Sequence, residues 1–210
     1  QTGSTAFGTV SVISIKDGAL IKSIPVGSHP NDIITSNNKE QVYVSNGNTD
    51  NVYVINPKTL ETEDIISVKI DKGEQGFLGD SPNALAISPD DAYLYVANGM
   101  DNALAVVKLG GQNSKSIIEG FIPTEAYPGG LAIYNNTIFV TNLEGEGARV
   151  SSLEMSNASD ITNGVTEGAY NSHHQKATVS IIPIPDSKTL ASYTERVKAQ
   201  MLNFRIELAK

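Results

Sequence analysis

Short apolar runs of four to six residues, broken by Asn, Gly, Ser and Pro, recur along the chain from Gly8 to Ile182, and no long helical period interrupts them. PNDIITSNNKEQVYVSNGNTDNVYVINPKTLET from Pro30 aligns with PNALAISPDDAYLYVANGMDNALAVVKLGGQ from Pro82. It aligns more weakly with PGGLAIYNNTIFVTNLEG from Pro128. The prolines are 52 and 46 residues apart, and the asparagines Asn46, Asn98 and Asn142 are 52 and 44 apart, so two independent markers agree. A repeat of about 40 to 50 residues is the size of one four-stranded β-propeller blade.

Turn chemistry divides each repeat. Ser88-Pro89-Asp90-Asp91 places proline at the second position of a type I turn, and Ser36-Asn37-Asn38-Lys39 holds the equivalent place. Second strands are expected at 42–44, 93–96 and 137–140, and third strands at 51–55 and 102–108. Val52 and Val54 alternate with Tyr53 and Ile55, so the third strand is apolar on both sides and needs cover on both, as between neighbouring blades. The chain opens in mid-blade, with 8–15 resembling a third strand and 19–26 a fourth. The last blade breaks at 143–176 and resumes at 177–182. The expected architecture is all-β, about thirteen strands forming roughly three to four blades over residues 1–186. A ring of seven or eight blades then needs further blades before Gln1, or a second copy to complete it, because an open ring exposes apolar faces and strand edges. After Pro185 the period changes. Leu190, Tyr193 or Thr194, Val197 and Met201 predict a C-terminal helix of about four turns in 187–210, started by Asp186 or Ser187 or by a second capping box at Ser192–Glu195. It serves as a rim cover or as a connector.

Composition narrows the partners more than the fold. A formal charge of -8 and a pI near 4.8, with no basic run, argue against nucleic acid, and no apolar run is long enough to span a membrane. Zero cysteines exclude disulfides and thiolate chemistry and leave the compartment open.

Candidate chemistry gathers where one blade passes to the next. A ligand site at the channel mouth is assembled from His29, Asn31, Asp32, Asn83, Glu125 and Tyr127. Such a site is wet and polar, suited to a small polar ligand or a hard divalent cation on oxygen ligands. The plainer account is that Pro30 and Asn31 build the turn. Asn46–Asn51 is rich in oxygen but lacks the spacing of a calcium loop, so its Asn-Gly and Asp-Asn pairs read as turn residues. The 143–176 insertion holds Gly145, Gly147, Gly164, Gly168, Tyr170 and His173-His174. Without a second imidazole at zinc-like spacing it is read as a contact loop for a neighbouring domain or protein. No nucleophile elbow, phosphate loop or dinucleotide fingerprint is present, and no cofactor is called for.

The units VYVSNGNTDNVYVINPKT and LYVANGMDNALAVV resemble the YVTN (YncE-like) β-propeller repeat, over 8 to about 197. The last blade, with Gly120, Ile122, Pro123, Thr124, Tyr127 and Pro128, then Val179, Ser180, Ile182, Pro183, Pro185, Leu190, Tyr193 and Thr194, is similar to the blade that precedes an alkaline-phosphatase-like phosphoesterase domain in bacterial two-domain proteins. Glu125-Ala126 departs from the Gly-Trp of that pattern. The resemblance implies export to the periplasm or cell surface and a phosphoesterase domain beyond Lys210. The expected role is a non-catalytic scaffold or a ligand- or protein-recognition module. Two alternatives stand beside it: a lactonase-like hydrolase with a channel cation on Asp32, Asn83 and Glu125, and a structural cell-surface repeat protein.

Overall fold

The computed structural model describes residues 7–70, 79–111, 114–145 and 177–208, with side chains through 201. The insertion beyond Gly145, including His173-His174, lies outside the described residues. Thirteen strands are described: β1 (Phe7–Ile13), β2 (Leu20–Ser28), β3 (Pro30–Thr35), β4 (Val42–Asn46), β5 (Asn51–Asn56), β6 (Glu61–Ser67), β7 (Pro82–Ile87), β8 (Tyr93–Asn98), β9 (Ala103–Lys108), β10 (Ile117–Pro123), β11 (Ala126–Tyr134), β12 (Thr137–Gly145) and β13 (Thr178–Pro183). They form four antiparallel sheets, β1-β2, β3-β4-β5-β6, β7-β8-β9-β10 and β11-β12-β13, each in simple chain order. These are propeller blades: two complete, flanked by a third-and-fourth-strand pair and a blade of three described strands.

The core lies between the sheets. Val52, Val54 and Tyr43 from the first complete blade meet Leu85, Leu94, Val96 and Val107 from the second. Leu104, Tyr95 and Val106 on the other side of that second blade meet Ile138 and Val140 of the last sheet. Val10, Val12, Ile24 and Val26 pack on Val44 and Ile55 in the same way. A third strand such as β9, buried along all but its last residue, therefore needs its apolar residues on both faces. The first strands are innermost, with β3 packing on β7 and β7 on β11.

The hairpins between first and second strands close as the turn residues predict. Lys39 N–H donates to Ser36 O (3.1 Å) and Asp91 N–H to Ser88 O (3.0 Å), with Lys39 and Asp91 at φ of 63° and 57°. Asp91 then accepts from Asn37 and Asn38 backbone N–H groups at 2.7 and 2.9 Å, tying this hairpin to its neighbour in the preceding blade.

The helix α1 (Ser187–Leu208) is longer than the four turns expected. Asp186 caps it, its Oδ1 accepting Thr189 N–H at 2.7 Å. The second capping box is not used. Thr194 sits inside the helix, where its hydroxyl donates to Leu190 O and accepts Phe121 N–H, both at 2.8 Å. A Cβ on Gly120 would stand 2.4 Å from Thr194 Oγ1, so the bare backbone at Gly120 is what lets α1 lie on β10. Leu190 and Val197 are buried by that contact, in separate clusters. The outward faces of the end sheets, by contrast, expose Phe7 and Ile13 on β1 and Val179 and Ile181 on β13.

Candidate functional site

Each complete blade and the last sheet begin alike: a residue in the left-handed region, a proline, and a bulge. His29, Ser81 and Tyr127 have φ of 58°, 52° and 56° immediately before Pro30, Pro82 and Pro128. This conformation is costly for a non-glycine residue, on the order of 1 kcal/mol. It is held in place by Gly47 N–H on His29 O (2.8 Å) and Gly99 N–H on Ser81 O (2.9 Å). The register skips one residue after each proline, so Asn31, Asn83 and Gly129 fall on bulges between first and second strands.

The bulged asparagines form a ladder between blades. Asn31 Nδ2 donates to Asn83 Oδ1 at 2.9 Å and to Pro82 O at 3.2 Å. Asn83 has no such successor, because position 129 is glycine; its buried Nδ2 has no hydrogen-bond partner among the described residues. Glycines make room for this row. A Cβ on Gly47 would lie 2.7 Å from Asn31 Nδ2, and one on Gly99 would lie 2.3 Å from Asn83 Nδ2 and 3.1 Å from Tyr127 Cζ. In the last sheet the pair is exchanged, with Leu143 covering Gly129.

The structure thus brings His29, Asn31, Asn83 and Tyr127 into one row across three blade starts. Asp32 and Glu125 are used otherwise. Asp32 Oδ2 accepts Leu85 N–H at 2.8 Å, joining β3 to β7. The Glu125 carboxylate accepts the Thr178 hydroxyl, and Tyr127 N–H donates to Asn102 Oδ1 at 2.9 Å. Among the described residues no three His, Asp or Glu side chains converge in a way that could hold a metal ion.

Beside the row lies an acidic cluster that reading the loops one at a time misses. Asp50, in the left-handed conformation that its Asp-Asn turn favours, is fully buried and accepts N–H groups from Gly79 (3.0 Å), Asp80 (3.0 Å) and Ser81 (3.3 Å). Asp101, 8% exposed, accepts Asn98 Nδ2 at 3.0 Å. Burial, and then the charge of Asp80, push its carboxyl up to about 8. Three loops distant in sequence supply this cluster. Aligning the repeats would have exposed one part of it, since Asp101 stands where Thr49 stands one blade earlier.

No family model and no curated protein matches this chain. Solved structures do. The chain is similar to hydrazine synthase of Kuenenia stuttgartiensis (TM-score 0.52, 22% identity, over 64% of this chain and 36% of that one). It is similar to a putative 6-phosphogluconolactonase of Bacteroides fragilis (TM-score 0.51, 18% identity, over 63% and 40%). It also resembles a luciferin-regenerating enzyme (TM-score 0.52, 12% identity, over 84% and 51%). The chain spans between a third and about half of these proteins' lengths, and at such identities the likeness shows a shared propeller-like fold.

Proposed function

We propose that this chain is the non-catalytic, ligand- or protein-recognising part of an exported bacterial propeller protein whose chemistry belongs to a phosphoesterase domain beyond Lys210. The observation that carries the reading is the fate of the acids a channel hydrolase would need. Asp32 and Glu125 have their carboxylates in bonds of the fold, Asp32 to Leu85 N–H in the next blade and Glu125 to the Thr178 hydroxyl on the last strand. What the row still offers is recognition chemistry: the Asn83 Nδ2, without a partner among the described residues, beside Tyr127, and the exposed His29. The apolar end faces with Phe7, Ile13, Val179 and Ile181 support further blades, or a second copy, packing on either side.

Two measurements test it. Antibody raised against this chain should detect, in fractionated envelope of source cells, a polypeptide much heavier than 22.3 kDa; a band at 22.3 kDa overturns the two-domain reading. The purified chain should hydrolyse neither p-nitrophenyl phosphate nor a sugar lactone with calcium or magnesium added. Lactone turnover that Asp32→Ala abolishes would replace the scaffold with a hydrolase.

A further inference from the structure

The face opposite the candidate row carries a second kind of site, built twice. One cleft of about 540 Å³ opens between the two complete blades, and another of the same size between the second complete blade and the last sheet. Their walls are repeat equivalents. Tyr43 pairs across strands with Val54 in the first cleft, and Tyr95 with Val106 in the second. Glu63 and Glu119 each occupy a register skip in the fourth strand, which re-aims them out of the ladder.

The first cleft is internally satisfied. Tyr43 Oη donates to Gln41 Oε1 at 2.6 Å, and Lys115 lines the cleft together with Glu63 and Asp64. In the second cleft the position of Gln41 is taken by Tyr93, so Tyr95 has no amide oxygen there to donate to. Tyr95, only 3% exposed, lines the cleft with its hydroxyl open to it, and Tyr43's partner at Gln41 has no amide counterpart there. Asp90, Glu119 and Asp186 line the same space, and no Lys or Arg does among the described residues. Ser88, whose hydroxyl donates to Asp90 Oδ1 at 2.6 Å, keeps that carboxyl below its ordinary range. The bond from Thr189 does the same for Asp186 at the start of α1. Glu119 has an outside counter-ion in Lys108, at 3.7 Å.

We propose that the cleft between β7–β10 and β11–β13 binds a small organic cation, an amine or guanidinium, with the Tyr95 hydroxyl and the Glu119, Asp90 and Asp186 carboxylates as its partners. An anion is repelled by three carboxylates, and the helix N-terminus that could have drawn one is already capped by Asp186. A bare metal ion finds no converging set of ligands among the described residues. An apolar guest would leave the Tyr95 hydroxyl unpaired, a cost that an N–H donor removes. Flanking Tyr93 and Leu190 supply the apolar wall that the methylene part of such a cation needs.

The probe is agmatine, which carries a guanidinium and an amine, titrated calorimetrically into the whole chain at physiological salt. One site per chain is expected, with Kd on the order of 1 mM or tighter. Tyr95→Phe and Glu119→Gln should each weaken binding about tenfold. Tyr43→Phe and Glu63→Gln, at the equivalent cleft, should leave it unchanged. Tyr95→Phe breaks no bond of the fold, so it keeps the test valid even where Glu119→Gln unfolds. Absence of agmatine heat, equal losses from the Glu63 and Glu119 variants, or displacement of agmatine by stoichiometric calcium would each overturn the proposal.

Discussion

The complete blades β3–β6 and β7–β10 carry equivalent positions into the same places, and three of the places where their residues differ decide what each blade binds to. At the turn leading into the third strand, Asp50 and Asn102 both adopt the left-handed conformation, and both reach the start of the next blade. Asp50 accepts three backbone N–H groups there, whereas Asn102 accepts one, from Tyr127. One residue earlier, Thr49 and Asp101 differ more consequentially. In the first blade the strand-end amide of Asn46 donates to Asn51 Oδ1 (3.1 Å); in the second, position 51 has become Ala103 and Asp101 takes over as acceptor for Asn98. In the last sheet Ser180 and Thr178 hydroxyls do it for Asn142. The repeated asparagine is therefore a clamp on the third strand or its neighbourhood, and the partner is what varies. The third difference, Gln41 against Tyr93, changes no clamp and removes the acceptor that Tyr43 has and Tyr95 lacks. Equivalent positions with the same side chain mark the scaffold, and the places where they part are where a repeat acquires chemistry of its own.

The largest effect is expected from cutting the unequal blade ties. Asp50→Ala removes the acceptor of three N–H groups, one buried and two part-buried, and should cost about 3 kcal/mol in urea unfolding. Asn102→Ala removes the acceptor of one exposed N–H, which water can replace, and should cost about 1 kcal/mol or less. Asp50→Asn imitates the second blade, keeps the Oδ1 bonds and should fall between them. If the alanine variants at 50 and 102 cost the same, the count of N–H partners does not set the strength of the tie.

Much of this architecture can be read without coordinates, and the reasons are local. Proline and asparagine repeat because each blade needs the same turn and the same clamp, and β5 and β9 are apolar on both sides because both sides are covered. Asp186 precedes a helical period and caps it. What stayed hidden depends on where blades sit against one another. The partnership of Asp91 with Asn37, some fifty residues apart, exists only once two hairpins are adjacent. The bulges that turn out Glu63 and Glu119 leave no mark in a sequence of alternating residues. Of the site residues chosen from the turn, His29, Asn31, Asn83 and Tyr127 share one row, but Asp32 and Glu125 could not be recognised as ties because their partners, Leu85 and Thr178, lie about fifty residues further on.

Asp101 sharpens the comparison through pH. Its folded-state value of about 8 lies well above the ordinary 3.8, so the folded chain holds a proton that the unfolded chain releases. The protonated group costs nothing below about pH 4. Stability then falls as pH rises toward 8, with a slope approaching about 1.4 kcal/mol per pH unit for one proton. Above that value the penalty is complete. Asp101→Asn keeps an acceptor for Asn98 and removes the titration, so urea midpoints between pH 5 and pH 8 should flatten relative to the parent chain. An unchanged slope would assign the loss to a group other than Asp101.

The smallest effect is the most diagnostic, because it compares the same atom in two blades. Tyr43→Phe deletes a hydroxyl that donates to Gln41 and leaves that amide oxygen without its partner, so it should cost about 1 kcal/mol. Tyr95→Phe deletes a hydroxyl of an equally buried side chain that opens onto the cleft and bonds to nothing described, and should cost about zero or stabilise slightly. Burial holds the Tyr95 phenol up at about 12, so it is neutral throughout the accessible range and the comparison needs no correction for its charge. Urea unfolding of the two variants at neutral pH reads the difference directly. Equal costs would mean that the Tyr95 hydroxyl already has a partner in solution, such as a held water, and the cleft would then bind its cation only by displacing it.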